Sequence, residues 1–342
     1  MKNHKSFKQA FSLIEISIVL LIIGILISGI LVGQDLILDA KIRSAQNLTK
    51  TSPVNKIPDL TLWLDVNAEQ SLITTSTADR CLEKYVNYQD LLGDERICAW
   101  RDINTQKSLG TDLSKKITLS INSTHALNAM PAYVVNGIGG LPSLYFDGAD
   151  YLISSTPPST SVANTVVNVD LLNLLSSSEV SFFIVQKYEG TPTSASTGNP
   201  STLFYHTTDF LVRSNDRTTA DGTTPSNYTP TLKFGTENYQ LSTKLTSVIN
   251  TPQVLAFTRD ATSIRLTINS ANQTLSSSSP SATINNSSAP IYLGTEGLSS
   301  GNLLNAFKGK ISEIIVFNRR ISERERVQVE NYLLQKYKIK KP

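Results

Sequence analysis

One of the clearest strand signals in this chain lies at residues 307–319, which read FKGKISEIIVFNR. β-Branched and aromatic residues dominate its second half, from Ile311 to Phe317, and such residues favour strands. Polar and turn-forming residues flank this run, so we predict a β-strand there. Glu313 is the only acid of the run, and we expect its side chain to face solvent between core-facing neighbours.

Similar short segments recur from Leu60 onward and are bounded by Gly, Pro, Asn, Asp and Ser. The clearest of them are Leu62–Leu64, Ser143–Phe146, Ser181–Val185, Val254–Phe257, Ile264–Ile268 and Ile291–Leu293. Amphipathic helical patterns do not separate them, which argues against a parallel α/β fold. Their number and spacing predict a mainly β protein built as a two-sheet antiparallel sandwich.

A helix is expected to follow the strand at 311–317 and to end the chain. Ser322 and Glu325 have the spacing of a capping box, which satisfies two of the unpaired N–H groups at a helix start. The apolar residues that follow share one side of the helix: Val329, Tyr332, Leu333 and Tyr337. We therefore predict a C-terminal helix that packs on the sandwich.

The order of these segments resembles the laminin-G-like or concanavalin A-like jelly roll of lectins and glucanases. The resemblance is carried by Leu62–Asp65, Ala99–Asp102, Gly140–Gly148 and Phe307–Arg319. It implies that residues 59–342 form one jelly-roll domain that binds a glycan or a protein. Catalysis is not expected, because retaining glucanases need two carboxylates about 5–5.5 Å apart and no predicted strand has Glu and Asp at alternating positions.

The N-terminus has a different character. Residues 1–10 are polar and basic, and residues 11–33 form an apolar run in which Glu15 is the only charged residue. About 20 apolar residues are needed to cross a bilayer, so the run predicts a transmembrane helix in the bacterial inner membrane. The lysines before the run predict a cytoplasmic N-terminus, with the bulk of the chain in the periplasm or on a surface filament.

This arrangement resembles the N-terminal segment of type IV prepilins and pseudopilins, in which a basic leader precedes Phe and a nearby Glu. The resemblance implies that a prepilin peptidase cuts between Ala10 and Phe11 and methylates the new amino group of Phe11. It also implies that Glu15 pairs with the N-terminal amine of a neighbouring subunit, which offsets the cost of a buried carboxylate. The family usually has Gly before the cut, whereas this chain has Ala10. An ordinary single-pass anchor is the alternative.

The helical pattern continues beyond the apolar run to about residue 50, where Pro53 and Pro58 interrupt it. The sequence therefore predicts a leader at 1–10, a transmembrane and amphipathic helix at 11–50, a linker at 51–58 and the sandwich at 59–342.

Charge and cysteine usage narrow the classes of function. The chain has 31 Lys and Arg against 28 Asp and Glu. It therefore lacks the basic excess with which proteins bind nucleic acid. Its only cysteines, Cys81 and Cys98, have a spacing that suits a local disulfide, with two unpaired thiols as the alternative.

Ligand-binding candidates lie in the predicted domain. Asp102 and Asp147 suit the ordering of turns, and binding of Ca²⁺ by loop oxygens is the alternative; no other cofactor or metal is expected. Tyr188, Tyr205 and Tyr228 are candidates for stacking on a sugar, although aromatic residues at such positions often fill a core.

Together these patterns predict a membrane-anchored filament subunit, a minor pilin or pseudopilin, that displays a lectin-like adhesion domain. Its partners would be the prepilin peptidase, other pilin or pseudopilin subunits, the membrane, and a glycan or protein ligand. One alternative is a type II secretion pseudopilin that contacts exported substrates. The other is a membrane-tethered glycan hydrolase, which the missing carboxylate pair disfavours.

Overall fold

The structure is a computed structural model. It describes residues 13–74, 91, 95–106, 117–121, 129–154, 169–170, 178–190, 201–206, 210–215, 228–242, 245, 249–277, 280–281, 283, 288–299 and 302–342. Residues 29–35, 169–170, 288, 299 and 302 are described by their backbone alone. In this part of the chain the helices are α1 (Leu13–Thr51) and α2 (Glu323–Lys336), and a short 3₁₀ turn spans Val54–Lys56.

The described strands are, in chain order, β1 (Leu60–Asp65), β2 (Leu72–Thr74), β3 (Ile97–Arg101), β4 (Thr118–Ser120), β5 (Ala132–Ile138), β6 (Leu141–Asp147), β7 (Leu152–Ser154), β8 (Val169–Asp170), β9 (Val180–Tyr188), β10 (Ser201–His206), β11 (Phe210–Asn215), β12 (Thr231–Phe234), β13 (Glu237–Gln240), β14 (Pro252–Arg259), β15 (Ile264–Ile268), β16 (Ala271–Gln273), β17 (Ser288–Ala289), β18 (Tyr292–Leu293), β19 (Leu298–Ser299), β20 (Asn302–Leu303) and β21 (Lys308–Phe317).

Most of these strands belong to two large antiparallel sheets. The first sheet has the order β16-β15-β14-β9-β21-β6-β5, and β1 also pairs with β21. The second sheet has the order β13-β12-β11-β10-β18-β7-β4-β3-β2. The segments predicted as strands fall in these sheets, although β18 begins one residue later than predicted. The prediction of a mainly β, antiparallel fold with a C-terminal helix is confirmed.

The main core lies between the two sheets. Phe182 on β9 of the first sheet contacts Phe204 and Phe210 of the second sheet, with ring centroids 5.5 and 6.3 Å away. Ile314 and Val316, which alternate on β21, belong to the same buried cluster. Because both sheets direct alternate apolar residues into one layer, the domain is a β-sandwich.

Helix α2 covers the outer face of the first sheet. Its start has the predicted capping box, since the Ser322 side chain accepts from the Glu325 backbone N–H and the Glu325 side chain accepts in return. The residues predicted to face the sandwich are buried: Val329, Tyr332, Leu333 and Tyr337. The ring of Tyr332 meets Trp63 of β1 edge to face, with centroids 6.5 Å apart.

The predicted orientation of Glu313 is wrong. This residue is only 1% exposed. It lies on β21, which has the core on one face and α2 on the other. Side chains that point to either face of this strand are therefore buried. A strand buried on both faces reads as a nearly continuous apolar run. Glu313 is therefore a buried acid in an apolar strand, and its carboxylate needs hydrogen-bonding or ionic partners.

The chain divides into two compact units, Met1–Ser44 and Ala45–Pro342, so the last turns of α1 belong to the unit that contains the sandwich. In the first unit, the large aliphatic side chains from Leu13 to Ile27 are exposed, by 44% at Ile23 and by 87% at Leu13. Among the residues that the structure describes, no helix has both the length and the apolar character needed to cross a bilayer. The transmembrane span expected at residues 11–33 stays a prediction.

Candidate functional site

The residues predicted for processing and assembly lie at the start of α1. Ala10 and Phe11 lie outside the described residues, so cleavage between them and methylation of Phe11 stay predictions. Glu15 lies in the first turn of α1 and is exposed. At the surface this carboxylate is accessible to another chain.

The structure describes one of the two cysteines of the predicted disulfide. Cys98 is fully buried on β3 and is disulfide-bonded. Its Sγ lies 3.9 Å from Sδ of Met130, in a small apolar cluster beside the second sheet. Cys81 lies outside the described residues, so the pairing of these two cysteines stays a prediction.

The two loop acids considered for Ca²⁺ order the backbone around them. Oδ1 of Asp102 accepts the N–H groups of Trp63 and Asn104, each at 2.9 Å. Oδ1 of Asp147 accepts the N–H of Ala149 at 2.7 Å. Within the described ranges, no group of three or more His, Cys, Asp or Glu side chains is placed to hold a metal ion.

The three candidate tyrosines have different positions. Tyr188 and Tyr228 are buried in the main core with ring centroids 5.9 Å apart, and Gln186 donates to the Tyr228 hydroxyl at 2.6 Å. Core filling, the alternative named above for these tyrosines, is therefore confirmed for both, and neither ring is available to a sugar. Tyr205 is half-buried and alternates with the core residue Phe204, so its ring lies on the outer face of the second sheet.

A second aromatic residue lies beside Tyr205. The strand register places Tyr292 directly opposite it, and the two ring centroids are 6.2 Å apart. Tyr292 alternates with Leu293, which faces the core. Sequence reasoning missed Tyr292, although this alternation could have identified it. We call Tyr205 and Tyr292 the tyrosine pair.

A polar group follows along the same strands. Arg213 lies two residues beyond Leu211, the cross-strand neighbour of Tyr205, and so points to the same outer face. Its guanidinium donates to Oε1 of Glu296 at 2.7 Å, and the Thr202 hydroxyl donates to the same oxygen at 2.6 Å. Arg213 and Glu296 are 14% and 13% exposed. The outer face thus combines aromatic rings with charged hydrogen-bonding groups.

A buried ionic cluster lies between α2 and the first sheet. We call it the Lys336 cluster, and its members are Thr49, Asp65, Glu313, Tyr332, Lys336 and Tyr337. Nζ of Lys336 lies 2.6 Å from Oδ2 of Asp65 and 2.7 Å from Oε2 of Glu313. The side chains of all three are 0% exposed. Sequence reasoning missed this cluster, although Lys336 lies one helical turn beyond Tyr332 on the buried side of α2.

Aromatic residues complete the cluster around Glu313. The hydroxyls of Tyr332 and Tyr337 donate to its carboxylate at 2.8 and 2.9 Å, and Nε1 of Trp63 donates at 2.8 Å. Burial raises the pKa of Glu313, and Lys336 opposes that rise. Burial lowers the pKa of Lys336, but Asp65 and Glu313 raise it by more, so the net shift is upward.

The Lys336 cluster joins four parts of the second unit. Thr49 at the end of α1 donates to Oδ2 of Asp65 at 2.9 Å. Asp65 ends β1, Glu313 lies on β21, and Lys336 ends α2. The last turn of α1 is therefore held on the sandwich by hydrogen bonds that are shielded from water, where such bonds are strongest.

No family model and no curated protein sequence matches this chain. Among solved structures it is similar to domain 4 of AbnA, a GH43 extracellular arabinanase from Geobacillus stearothermophilus, in complex with arabinotriose. That match has a TM-score of 0.40 and 17% identity, and covers 65% of this chain and 90% of that one.

Two further solved structures are similar at lower sequence identity. The binding domain of botulinum neurotoxin serotype G has a TM-score of 0.41 and 12% identity, with 81% of this chain and 51% of that chain covered. Trypanosoma rangeli sialidase has a TM-score of 0.38 and 10% identity, with 82% of this chain and 33% of the sialidase chain covered. This chain thus spans about half of the toxin domain and a third of the sialidase. At these scores the likenesses establish neither a family nor a function.

Proposed function

We propose that this chain is a pilin-like filament subunit that is anchored in a membrane by residues 11–33 and displays its β-sandwich as a ligand-binding domain. The observation that carries the proposal is the apolar surface of α1 from Leu13 to Ile27, where the large aliphatic side chains are at least 44% exposed. A contiguous apolar surface of this kind marks an interaction site. Apolar residues lie on all sides of the helix, so the partner must surround it, as lipid or a bundle of similar helices does.

Glu15 favours a bundle of subunit helices over lipid alone. A carboxylate within hydrocarbon costs about 3 kcal/mol on insertion scales. The positive N-terminal amine of a neighbouring subunit would offset that cost, because the two charges would leave water together. The same pairing would fix the axial position of one subunit against the next.

The last turns of α1 belong to the second unit and are fixed there by side chains. Gln46 and Thr49 near the end of α1 are buried, and Gln46 donates to the carbonyl of Asn67 at 3.0 Å. Thr49 belongs to the Lys336 cluster, so side chains from both ends of the second unit fix these last turns. A subunit that displays a domain from a filament needs a firm attachment of this kind.

The ligand of the sandwich is proposed to be a glycan, and the proposed site is the tyrosine pair with Arg213 and Glu296. Tyrosine rings present an apolar face to the C–H groups of a sugar and a hydroxyl to its polar edge. The guanidinium and carboxylate beside them can bond sugar hydroxyls. Binding without turnover is proposed, since Glu296 already accepts hydrogen bonds from Thr202, Arg213 and Asn305.

Recruitment of a Glu15→Ala variant into filaments tests the assembly role. The variant should insert in the membrane normally and be recovered about tenfold less in filaments sheared from cells, because the neighbouring amine loses its partner. Ser17→Ala is the matched control, since Ser17 is also exposed on α1 and its hydroxyl donates to the carbonyl of Ile14 at 2.8 Å. Equal recruitment of the Glu15→Ala and control variants would remove the assembly role of this carboxylate.

Glycan binding by the full-length protein in detergent tests the ligand site. Tyr205→Ala and Tyr292→Ala should each weaken binding to an immobilised glycan library about tenfold, because one stacking ring is worth roughly 1 kcal/mol or more. Tyr145→Ala is the matched control, since Tyr145 is also half-buried but lies on the first sheet. If Tyr145→Ala lowers glycan binding as much as Tyr205→Ala and Tyr292→Ala do, the tyrosine pair is not the glycan site.

A further inference from the structure

We propose that Lys336 and Asp65 are joined by an intramolecular amide bond, with Glu313 as the group that transfers protons during its formation. Nζ of Lys336 lies 2.6 Å from Oδ2 of Asp65 and 2.7 Å from Oε2 of Glu313. An amine, a carboxyl and a second carboxyl in mutual contact are the groups that amide formation requires. All three are held by different elements of the fold, so they are oriented before any reaction begins.

The environment of the three groups favours a neutral product. One ammonium and two carboxylates are fully buried, and desolvating each ion costs several kcal/mol. Amide formation removes the ammonium and one carboxylate from the interior together. Burial raises the pKa of Glu313, which makes its carboxylate a stronger acceptor for the proton that leaves the nitrogen.

The two oxygens of Asp65 are prepared for different roles. Oδ1 accepts the backbone N–H of Asn67 at 2.9 Å. This donor would stabilise the negative charge that develops on Oδ1 in a tetrahedral intermediate. Oδ2 accepts from the Thr49 hydroxyl at 2.9 Å and contacts Lys336, so it is the oxygen placed to leave.

The reaction balances without an oxidant or a co-reactant. The Lys336 ammonium gives one proton to the Asp65 carboxylate, which leaves a neutral amine beside a neutral acid. The nitrogen then attacks Cγ of Asp65, while Glu313 takes a second proton from the nitrogen and returns one to the departing hydroxyl. The Nζ–Cγ bond forms, the Cγ–Oδ2 bond breaks, one water leaves, and Glu313 ends in its starting protonation state.

Aromatic side chains would protect the bond. The ring centroids of Tyr332 and Tyr337 lie 5.5 and 5.2 Å from Nζ of Lys336. Both residues and Trp63 are also buried and donate to Glu313, so they fix the proton-transfer group and exclude water. Exclusion of water suppresses the reverse reaction, hydrolysis of the amide.

The bond would connect the two ends of the sandwich. Asp65 lies on the first strand after α1, and Lys336 lies 271 residues later at the end of the last helix. A force that enters the domain from α1 would then pass through a covalent bond to α2. Strand β1 could not be pulled from the sheet on its own, which suits a domain displayed on a filament.

Mass spectrometry of the full-length protein tests the proposal. After reduction and unfolding, the wild-type chain should weigh about 18 Da less than the same chain without the amide, which is the mass of one water. A protease that cuts after lysine should fail to cut after Lys336 and should release a branched peptide that contains Asp65. The exposed ion pair of Lys50 and Glu69, at 2.9 Å, is the internal control and should yield unlinked peptides.

Variants separate the role of each group. Lys336→Met and Glu313→Gln should both have the full mass, because the first lacks the nucleophile and the second lacks the proton-transfer group. If either variant fails to fold, the wild-type measurement alone decides the matter. A wild-type chain of full mass, with a free Lys336 peptide after digestion, overturns the proposal.

Discussion

Replacement of Lys336 by methionine should destabilise the second unit more than removal of any exposed lysine, because Asp65 can then form neither an amide nor an ion pair. In a Lys336→Met variant, Asp65 and Glu313 would remain buried without a cation beside them. The aliphatic stem of methionine fills much of the space of the lysine stem, so the main loss is the nitrogen and its bonds to Asp65 and Glu313.

The size of the effect follows from burial. Loss of the buried ionic contacts alone costs about 3–5 kcal/mol, because the carboxylates stay uncompensated, and loss of the proposed amide adds to this. Urea m-values are about 1–3 kcal/mol per molar, so the unfolding midpoint should fall by at least about 1 M. Tryptophan fluorescence follows this transition directly, since Trp63 donates to Glu313 inside the cluster.

Lys50→Met is the matched control. Lys50 pairs with Glu69 at 2.9 Å, but the two side chains are 62% and 57% exposed. An exposed pair contributes about 0–1 kcal/mol, so at a common m-value the midpoint of this variant should shift by at most about a third as much as that of Lys336→Met. Equal midpoints for the Lys336→Met and Lys50→Met variants would refute the importance assigned to the buried cluster.

Three further predictions concern other parts of the second unit. Ser322→Ala should lower the free energy of unfolding by about 1 kcal/mol in urea titrations, because it removes the N-cap of α2; an unchanged midpoint would contradict this. Asp150→Asn should flatten the pH dependence of stability: burial raises the pKa of Asp150 to about 8, so the wild type loses stability from about pH 4 to 8 as this acid ionises. Thermal unfolding at pH 5 and 9 measures the difference, and parallel profiles for the two proteins would exclude it. Gly139→Ala should lower the melting temperature, since φ is +65° and an added Cβ would meet the carbonyl oxygen of Tyr337; an equal melting temperature would show that α2 can shift.

The strands and α2 could be predicted because their signals are local. Apolar runs with flanking turn residues marked β9, β14, β15 and β21, and the spacing of Ser322 and Glu325 marked the helix start. These patterns depend on residues that are neighbours in sequence. They require no knowledge of which strand pairs with which.

The sites depended on distant contacts and were predicted less well. Glu313 was misplaced because its strand alone does not show that α2 covers the outer face. Lys336 contacts Asp65 from 271 residues away, and no spacing rule connects them. Tyr205 was recognised as a candidate, but its partner Tyr292 comes from a strand nearly 90 residues away and is identified only by the register of the second sheet.

The mass of the native N-terminus tests the pilin-like role most directly. Protein recovered from its own membrane should yield, after digestion, a first peptide that begins at Phe11 and carries one methyl group on its amine. That result would show recognition by a prepilin peptidase in spite of Ala10. A first peptide that begins at Met1 or Lys2 would contradict the pilin-like assignment and leave a β-sandwich on an ordinary apolar helix.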